Sequence, residues 1–131
     1  MSVKFTVKAQ RNPLNGSHGH WTRDHAVMKK CRAAVAFALM EIGRIPSAHD
    51  KLVLAKSPVK KSVKFTRFWG GRSREMDFEG FVASCKHYLD ALKMSDDGEG
   101  LIYDDSQTWV ALLYDQVKDK TKAGLLEIEV I

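Results

Sequence analysis

Long hydrophobic runs are absent from this sequence of 131 residues, and cysteine and proline are scarce, with two and three residues respectively. No stretch approaches the roughly 18 consecutive apolar residues of a membrane span. Residues 1–8 alternate like a strand and lack the apolar block of a signal peptide. Cys31 and Cys85 each fall on the apolar face of a predicted helix, which indicates buried thiols rather than a disulfide. These absences predict a cytoplasmic protein with no membrane span.

Acidic residues are missing from the middle of the chain and are concentrated directly after it. Residues 51–74 contain eight Lys or Arg and no Asp or Glu, whereas residues 75–105 contain nine acids and two lysines. The net charge of +5 and the pI near 9.3 favour an anionic partner, nucleic acid first and an acidic membrane surface second. Packed carboxylates repel one another unless a cation lies between them. A basic approach to an acidic pocket is what an enzyme that cuts phosphodiesters needs.

The hydrophobic pattern predicts a single α+β domain over residues 1–131. Alternation and β-branched residues predict strands at residues 3–9, 52–54, 63–69, 108–117 and 126–130, and helical spacing predicts helices at residues 22–42 and 77–92. Residues 11–20 and 95–100 are expected to be loops, and residues 118–124 the turn of a hairpin. The order β-α-β-α-β-β predicts a small mixed or antiparallel sheet with two helices packed on it.

The candidate catalytic site combines two carboxylates at the start of the second helix with a third that precedes a later strand. Asp77, which can be the N-cap, and Glu79 can both turn toward one cation if the chain there is extended. Asp105 or Asp104 precedes a strand that could run beside this helix start. Such an oxygen-rich set suits Mg²⁺ or Mn²⁺, which can activate water and neutralise charge on a cleaved phosphate. Lys86 follows Glu79 on the same helix face, roughly 10 Å along the axis, and can stabilise a transition state.

The acidic clusters and the N-terminal histidines each allow a second interpretation. Acids in the first turn of a helix are favoured by the helix dipole, and Asp-Asp before a strand is common turn chemistry, so each cluster can be a cap or a turn. His18, His20 and His25 flank Trp21 and could hold zinc. We prefer a loop that touches DNA or packs against the tryptophan, because no cysteine or fourth ligand is near in sequence.

A series of short motifs runs along the second half of the chain. It comprises Arg-Ser-Arg-Glu-Met at 72–76, Asp-Phe-Glu-Gly-Phe at 77–81, a lysine at 86, Asp-Ala-Leu at 90–92 and Gly-Leu-Ile-Tyr-Asp-Asp-Ser at 100–106. Pro-Leu-Asn at 13–15 and Lys-Lys-Cys-Arg at 29–32 extend the series into the first half. In order and spacing these motifs resemble the RusA-type Holliday junction resolvases, many of which are carried by phages and prophages. The resemblance covers nearly the whole chain.

The resemblance implies a homodimeric, Mg²⁺-dependent endonuclease, bacterial or phage-encoded, that nicks two strands of a four-way DNA junction in DNA recombination and repair. A twofold dimer matches the twofold symmetry of the junction. Carried over by position, Asp77, Glu79 and Asp105 are the catalytic and metal-binding carboxylates, with Asp104 beside them, and Lys86 is the helix lysine. Candidate phosphate contacts, which fix position and are salt-sensitive, are Lys29, Lys30, Lys64, Arg67, Arg72 and Arg74, together with Lys4, Lys8, Lys60 and Lys61.

The chain departs from the family pattern at the first helical turn. Glu79 stands where the family has aspartate, and Gly80 where it has asparagine. The family lysine often lies nearer the first turn than Lys86, and a different register would pair Glu75 with Asp77. Two alternative functions follow: a catalytically impaired nucleic-acid-binding protein on the same fold, or a basic interaction protein whose acids are only caps.

Overall fold

The computed structural model describes residues 2–9, 21–95 and 98–131, with the backbone alone for residues 21–24. The loop predicted at residues 11–20, with His18 and His20, lies outside the described residues, as do Asp96 and Asp97. Within the described ranges, no helix has both the length and the apolar character needed to cross a membrane.

Seven helices and strands make up the described chain, and they confirm the predicted α+β fold and most of the predicted element order. They are β1 (Val3–Lys8), α1 (Trp21–Glu41), α2 (Ala48–Lys56), β2 (Lys61–Trp69), α3 (Phe78–Leu92), β3 (Val110–Lys118) and β4 (Leu125–Val130). The four strands form one mixed sheet in the order β1-β4-β2-β3.

The strand predicted at residues 52–54 is wrong, because these residues belong to helix α2. A capping box starts this helix: Ser47 Oγ accepts a hydrogen bond from Asp50 N, and Asp50 Oδ2 accepts one from Ser47 N, each at 3.1 Å. Three consecutive apolar residues imitate a short buried strand, yet only Leu54 of the three is buried. The prediction gave too little weight to the cap.

The hairpin predicted at residues 118–124 is also wrong, because β3 and β4 lie on opposite sides of β2. β3 pairs with β2 in parallel, while β4 pairs with both β2 and β1 antiparallel. The β3–β4 connection therefore crosses the end of β2, where Gly124 N donates to Phe68 O at 3.2 Å. Gly70 permits this close passage: its φ is +154°, and a Cβ there would lie 2.8 Å from Lys120 Cα. Helix α3 joins β2 to β3, as parallel neighbours require, because they cannot be joined by a tight turn.

The core lies between one face of the sheet and helices α1 and α3. Fully buried side chains of the sheet and both helices meet there, among them Phe65, Ile128, Val35 and Tyr88. Cys31 on α1 and Cys85 on α3 are free and buried in this core, which confirms the prediction made for them. Burial raises the pKa of the Cys31 thiol to about 11 and that of the Cys85 thiol to about 12.

Helix α3 runs antiparallel to β3, and this direction decides where its acidic residues lie. At its start, the rings of Phe78 and Phe81 pack edge-on against Tyr114 at the middle of β3, and Met76, just before the helix, bonds Gln116 nearer the end of the strand. At its end, Leu92 O accepts hydrogen bonds from the backbone of Leu101 and Ile102, which lie ahead of β3. The two ends of α3 therefore face opposite ends of β3.

Candidate active site along helix α3

Two lysines and two aspartates form an ion-pair network on the second half of α3. Lys86 Nζ lies 3.1 Å from Asp105 Oδ2 and 3.5 Å from Asp90 Oδ1. Lys93 Nζ lies 3.6 Å from the same Asp105 oxygen and 3.5 Å from the same Asp90 oxygen. Each carboxylate therefore faces two ammonium groups, and the network joins the helix to the Asp-Asp-Ser stretch.

Local structure places these four side chains together. Lys86, Asp90 and Lys93 share one face of α3 because residues four and three positions apart are neighbours on a helix. The segment that carries Asp105 is pinned to the end of the helix, since Leu101 N and Ile102 N donate to Leu92 O at 2.9 and 3.1 Å. A parallel bridge between Lys93 and Ile102 adds to this attachment. Asp105 thus reaches the helix face through backbone pairing, and not only through its charge.

Opposing effects set the pKa of Asp105. Partial burial is the largest and raises it, but the hydrogen bond from Lys86, the charges of Lys86 and Lys93 and a hydrogen bond with Asp104 together bring the pKa below its ordinary value. The hydrogen bond to Asp105 is in turn the main reason that the pKa of Lys86 is raised, against the lowering by desolvation. At neutral pH the site therefore presents an ionised carboxylate beside a protonated amine.

Asp77 and Glu79 lie at the other end of the same helix. Asp77 is the N-cap, as predicted, and its Oδ2 accepts a hydrogen bond of 2.9 Å from Gly80 N. Glu79 is exposed in the first turn. Asp77 precedes Lys86 by nine positions, roughly 14 Å along the axis, and Glu79 precedes it by roughly 10 Å. The structure therefore brings Lys86 and Asp105 together but does not bring Asp77 or Glu79 to Asp105.

The structure does not group the three carboxylates that were predicted to share a Mg²⁺ ion. Among the side chains of residues 2–9, 25–95 and 98–131, no three His, Cys, Asp or Glu residues are grouped closely enough to hold a metal. The alternative register, with Glu75 and Asp77 as the pair, also uses residues that precede α3, whereas Asp105 lies beside Lys86. Of the three histidines considered as zinc ligands, His25 alone is described, half-buried on α1.

The six candidate phosphate contacts on α1, on β2 and in the segment before α3 differ in exposure. Lys29 and Lys30 on α1 have exposed side chains, as do Arg72 and Arg74 between β2 and α3. Lys64 is half-buried in the middle of the sheet, where it lies between β3 and β4. The four exposed residues are therefore better placed than Lys64 to meet a phosphate.

Arg67 is occupied by contacts inside the protein. Its Nη1 donates to Arg74 O at 2.9 Å and to Gln116 Oε1 at 3.2 Å, and burial lowers its pKa. Gln116 in turn accepts from Met76 N at 2.9 Å and donates to Met76 O at 2.8 Å. The two Gln116–Met76 hydrogen bonds hold the segment before Asp77 against β3. Arg67 contacts both Gln116 and the carbonyl of Arg74, so it helps to orient the same segment and is less available to DNA.

Sequence reasoning missed three residues that build this region: Asp90, Lys93 and Gln116. The sequence placed Asp90 in the Asp-Ala-Leu motif and on the same helix face as Lys86, but its ion pairs were not predicted, although its spacing from Lys86 and Lys93 is the standard spacing of ion pairs on a helix. No sequence signal pointed to Gln116, because its role depends on α3 and β3 being neighbours.

Comparison with known proteins gives no match to a family model, to a curated protein or to a solved structure.

Proposed function

We propose that this protein is an endodeoxyribonuclease that cuts branched DNA, such as a four-way junction, and that Asp105 and Lys86 lie at its reaction centre. The observation that carries the proposal is the 3.1 Å contact between Lys86 Nζ and Asp105 Oδ2. These residues are 19 positions apart and belong to two separate motifs. Their contact is the long-range pairing that a site built from the helix lysine and the Asp-Asp-Ser stretch would require.

The two groups have the charges that phosphodiester hydrolysis needs. Negative charge develops on the phosphoryl oxygens as water adds to phosphorus, and a protonated amine beside them stabilises it. Lys86 is 54% exposed and can turn toward a phosphate without leaving a buried position. The ionised Asp105 can accept a hydrogen bond from the attacking water and orient it, although its low pKa makes it a weak base. A Mg²⁺ or Mn²⁺ ion would add charge neutralisation of the same kind, and it would be held by Asp105 and Asp104 together with phosphate oxygens of the substrate.

The exposed basic residues suit a nucleic-acid substrate. Arg72 and Arg74 precede α3, and Lys29 and Lys30 lie on α1, so positive charge is present on two separate elements. Contacts of this kind are made to phosphates and give affinity that falls with salt but does not depend on base sequence. Recognition of a branch by two symmetric sites requires a second copy of the chain, and we propose a homodimer for that reason.

A non-catalytic nucleic-acid-binding protein is the second candidate, and the start of α3 favours it. Asp77 uses one carboxylate oxygen for the N-cap bond to Gly80, and Glu79 projects from the exposed first turn. A chain that had lost its cation site but kept its arginines would retain this geometry. Binding without cleavage would then be its activity.

A synthetic four-way junction distinguishes the two candidates. The wild-type protein is incubated with the labelled junction, and separately with linear duplex of the same sequence, in Mg²⁺, in Mn²⁺ and in EDTA. We expect paired nicks in the junction with a divalent cation, none in EDTA and none in the duplex. Asp105→Asn should bind the junction with unchanged affinity and cut it at least roughly 100-fold more slowly, the range seen when one transition-state contact is removed.

Glu41→Gln is the matched control, because it neutralises an exposed acid at the end of α1 that lies beside β1 and β4 rather than beside the network. It should cut like the wild type. Binding without products in any metal would eliminate the nuclease and leave the binding protein. Failure to bind any branched or linear DNA at low salt would refute both candidates and favour an interaction protein.

A further inference from the structure

An aromatic side chain is displayed to solvent at the start of α3. Phe78 directly follows the N-cap and is 65% exposed. Its ring packs edge-on against Tyr114, with centroids 6.0 Å apart and an interplanar angle of 85°. Tyr114 stacks on the buried Phe65 at 5.6 Å and 13°, and Phe81 packs against it edge-on at 5.8 Å. Phe78 is therefore the outermost ring of an aromatic cluster that extends from the core to the surface.

The backbone that presents this ring is held on both sides. Before it, Gln116 bonds both the N–H and the carbonyl of Met76. After it, the Asp77 carboxylate caps the helix at Gly80. Since the segment is already ordered, a ligand that stacks there would meet little of the entropy cost of fixing a loop. The cleft beside the ring measures about 230 Å³.

The charges around the cleft select the part of a ligand that can enter it. Glu75 and Asp115 line it beside Phe78, and carboxylates at this position disfavour a phosphate directly over the ring. They can accept hydrogen bonds from the amino and imino groups of a base. Arg72 and Arg74, both exposed, lie only a few residues before the cleft and can hold the strand that carries the base.

We propose that the cleft at Phe78 binds one unpaired nucleobase, stacked on the Phe78 ring, of the kind that becomes exposed where DNA branches. This site deepens the proposed function by naming what the protein would recognise at a branch, and it rests on that function for its substrate class alone. Aromatic stacking tolerates every base because each has a π-face. The site would therefore confer preference for unpaired structure and little preference for sequence.

The test compares a labelled single strand of about 12 nucleotides, within the range of single-strand site sizes, with a strand of equal length and charge in which every base is replaced by an abasic tetrahydrofuran unit. Binding is measured by fluorescence anisotropy at fixed salt. Phe78→Ala should weaken binding of the base-containing strand roughly ten-fold, the loss of one stacked base, and leave the abasic strand unaffected. Phe78→Trp should restore the affinity. Phe37→Ala is the matched control, because Phe37 is also an exposed phenylalanine, at 57%, but lies on α1.

The proposal would be overturned if Phe78→Ala weakened binding of the base-containing and abasic strands equally. It would also be overturned if Phe37→Ala lowered the affinity for the base-containing strand as much as Phe78→Ala does. So would a concentration-dependent dimer that Phe78→Ala dissociates, because a second copy would then cover the ring. The junction assay keeps the two proposals separate. Base-dependent binding through Phe78 without cleavage by the wild type removes the nuclease and keeps this site, whereas normal cleavage with an unaffected Phe78→Ala removes the site alone.

Discussion

Replacing Asp105 by asparagine tests the ion-pair network most directly, because it removes the charge that Lys86 and Lys93 share while keeping the side-chain shape. Lys93 retains Asp90 as a partner, and the half-exposed Lys86 can return to water. The cost should therefore be that of a solvent-screened ion pair, about 0.5–1 kcal/mol of unfolding free energy at low salt. Because the Debye length falls to roughly 3 Å at 1 M salt, the difference in unfolding free energy between wild type and Asp105→Asn should shrink as salt is added.

The same substitution gives a pH signature whose sign follows from the pKa of Asp105. The folded-state pKa is lowered, and the unfolded value is about 3.9. The stabilisation is therefore fully present above about pH 3.9 and is lost as the pH falls through the folded-state pKa. The difference between wild type and Asp105→Asn should be constant near neutral pH and should vanish in strong acid.

Urea denaturation followed by tryptophan fluorescence measures both effects, with linear extrapolation to water. A double-mutant cycle with Lys86→Met should give a coupling of about 0.5 kcal/mol, and Glu41→Gln should show none. A loss above about 3 kcal/mol that salt does not reduce would mean that the pair is a buried structural one. A gain in stability would mean that the carboxylates repel each other despite the lysines, and either result would refute the network as described.

The remaining predictions concern stability and reactivity. Asp77→Ala should lower the free energy of unfolding, measured by thermal denaturation, by about 1 kcal/mol because the N-cap hydrogen bond is removed. Asp77→Ser should keep most of that stability, because serine is also a good N-cap. Gly71→Ala should lower the free energy of unfolding by roughly 1–2 kcal/mol, because alanine would adopt a left-handed conformation there although the space around it is open. Gly70→Ala should lower it further, because the backbone of Lys120 occupies the space that the new Cβ would need. Cys31 and Cys85 should resist a thiol reagent at about pH 8, near the ordinary thiol pKa, until urea unfolds the protein, because burial raises their pKa values; rapid native labelling would contradict this.

The pattern of apolar residues was enough to predict the packing of helices on a sheet. The stripes on α1 and α3 and the alternation in β1 and β4 each bury one face, and periodicity alone identifies that face. The N-cap role of Asp77 was equally local, since it depends on the three residues that follow. Helix α2 was missed at the same local scale, because an apolar triplet was given more weight than the capping pair that precedes it.

The pairing of strands and the meeting of site residues depended on the tertiary structure. β3 pairs with β2 and not with β4, and the turn composition of residues 118–124, which predicted a hairpin, did not distinguish these two pairings. Because α3 then runs antiparallel to β3, Asp105 lies beside Lys86 near the middle of the helix and far from Asp77 at its start. Spacing along the chain limits which residues share a face of one element, whereas the distance between two elements is set by how their apolar faces pack together.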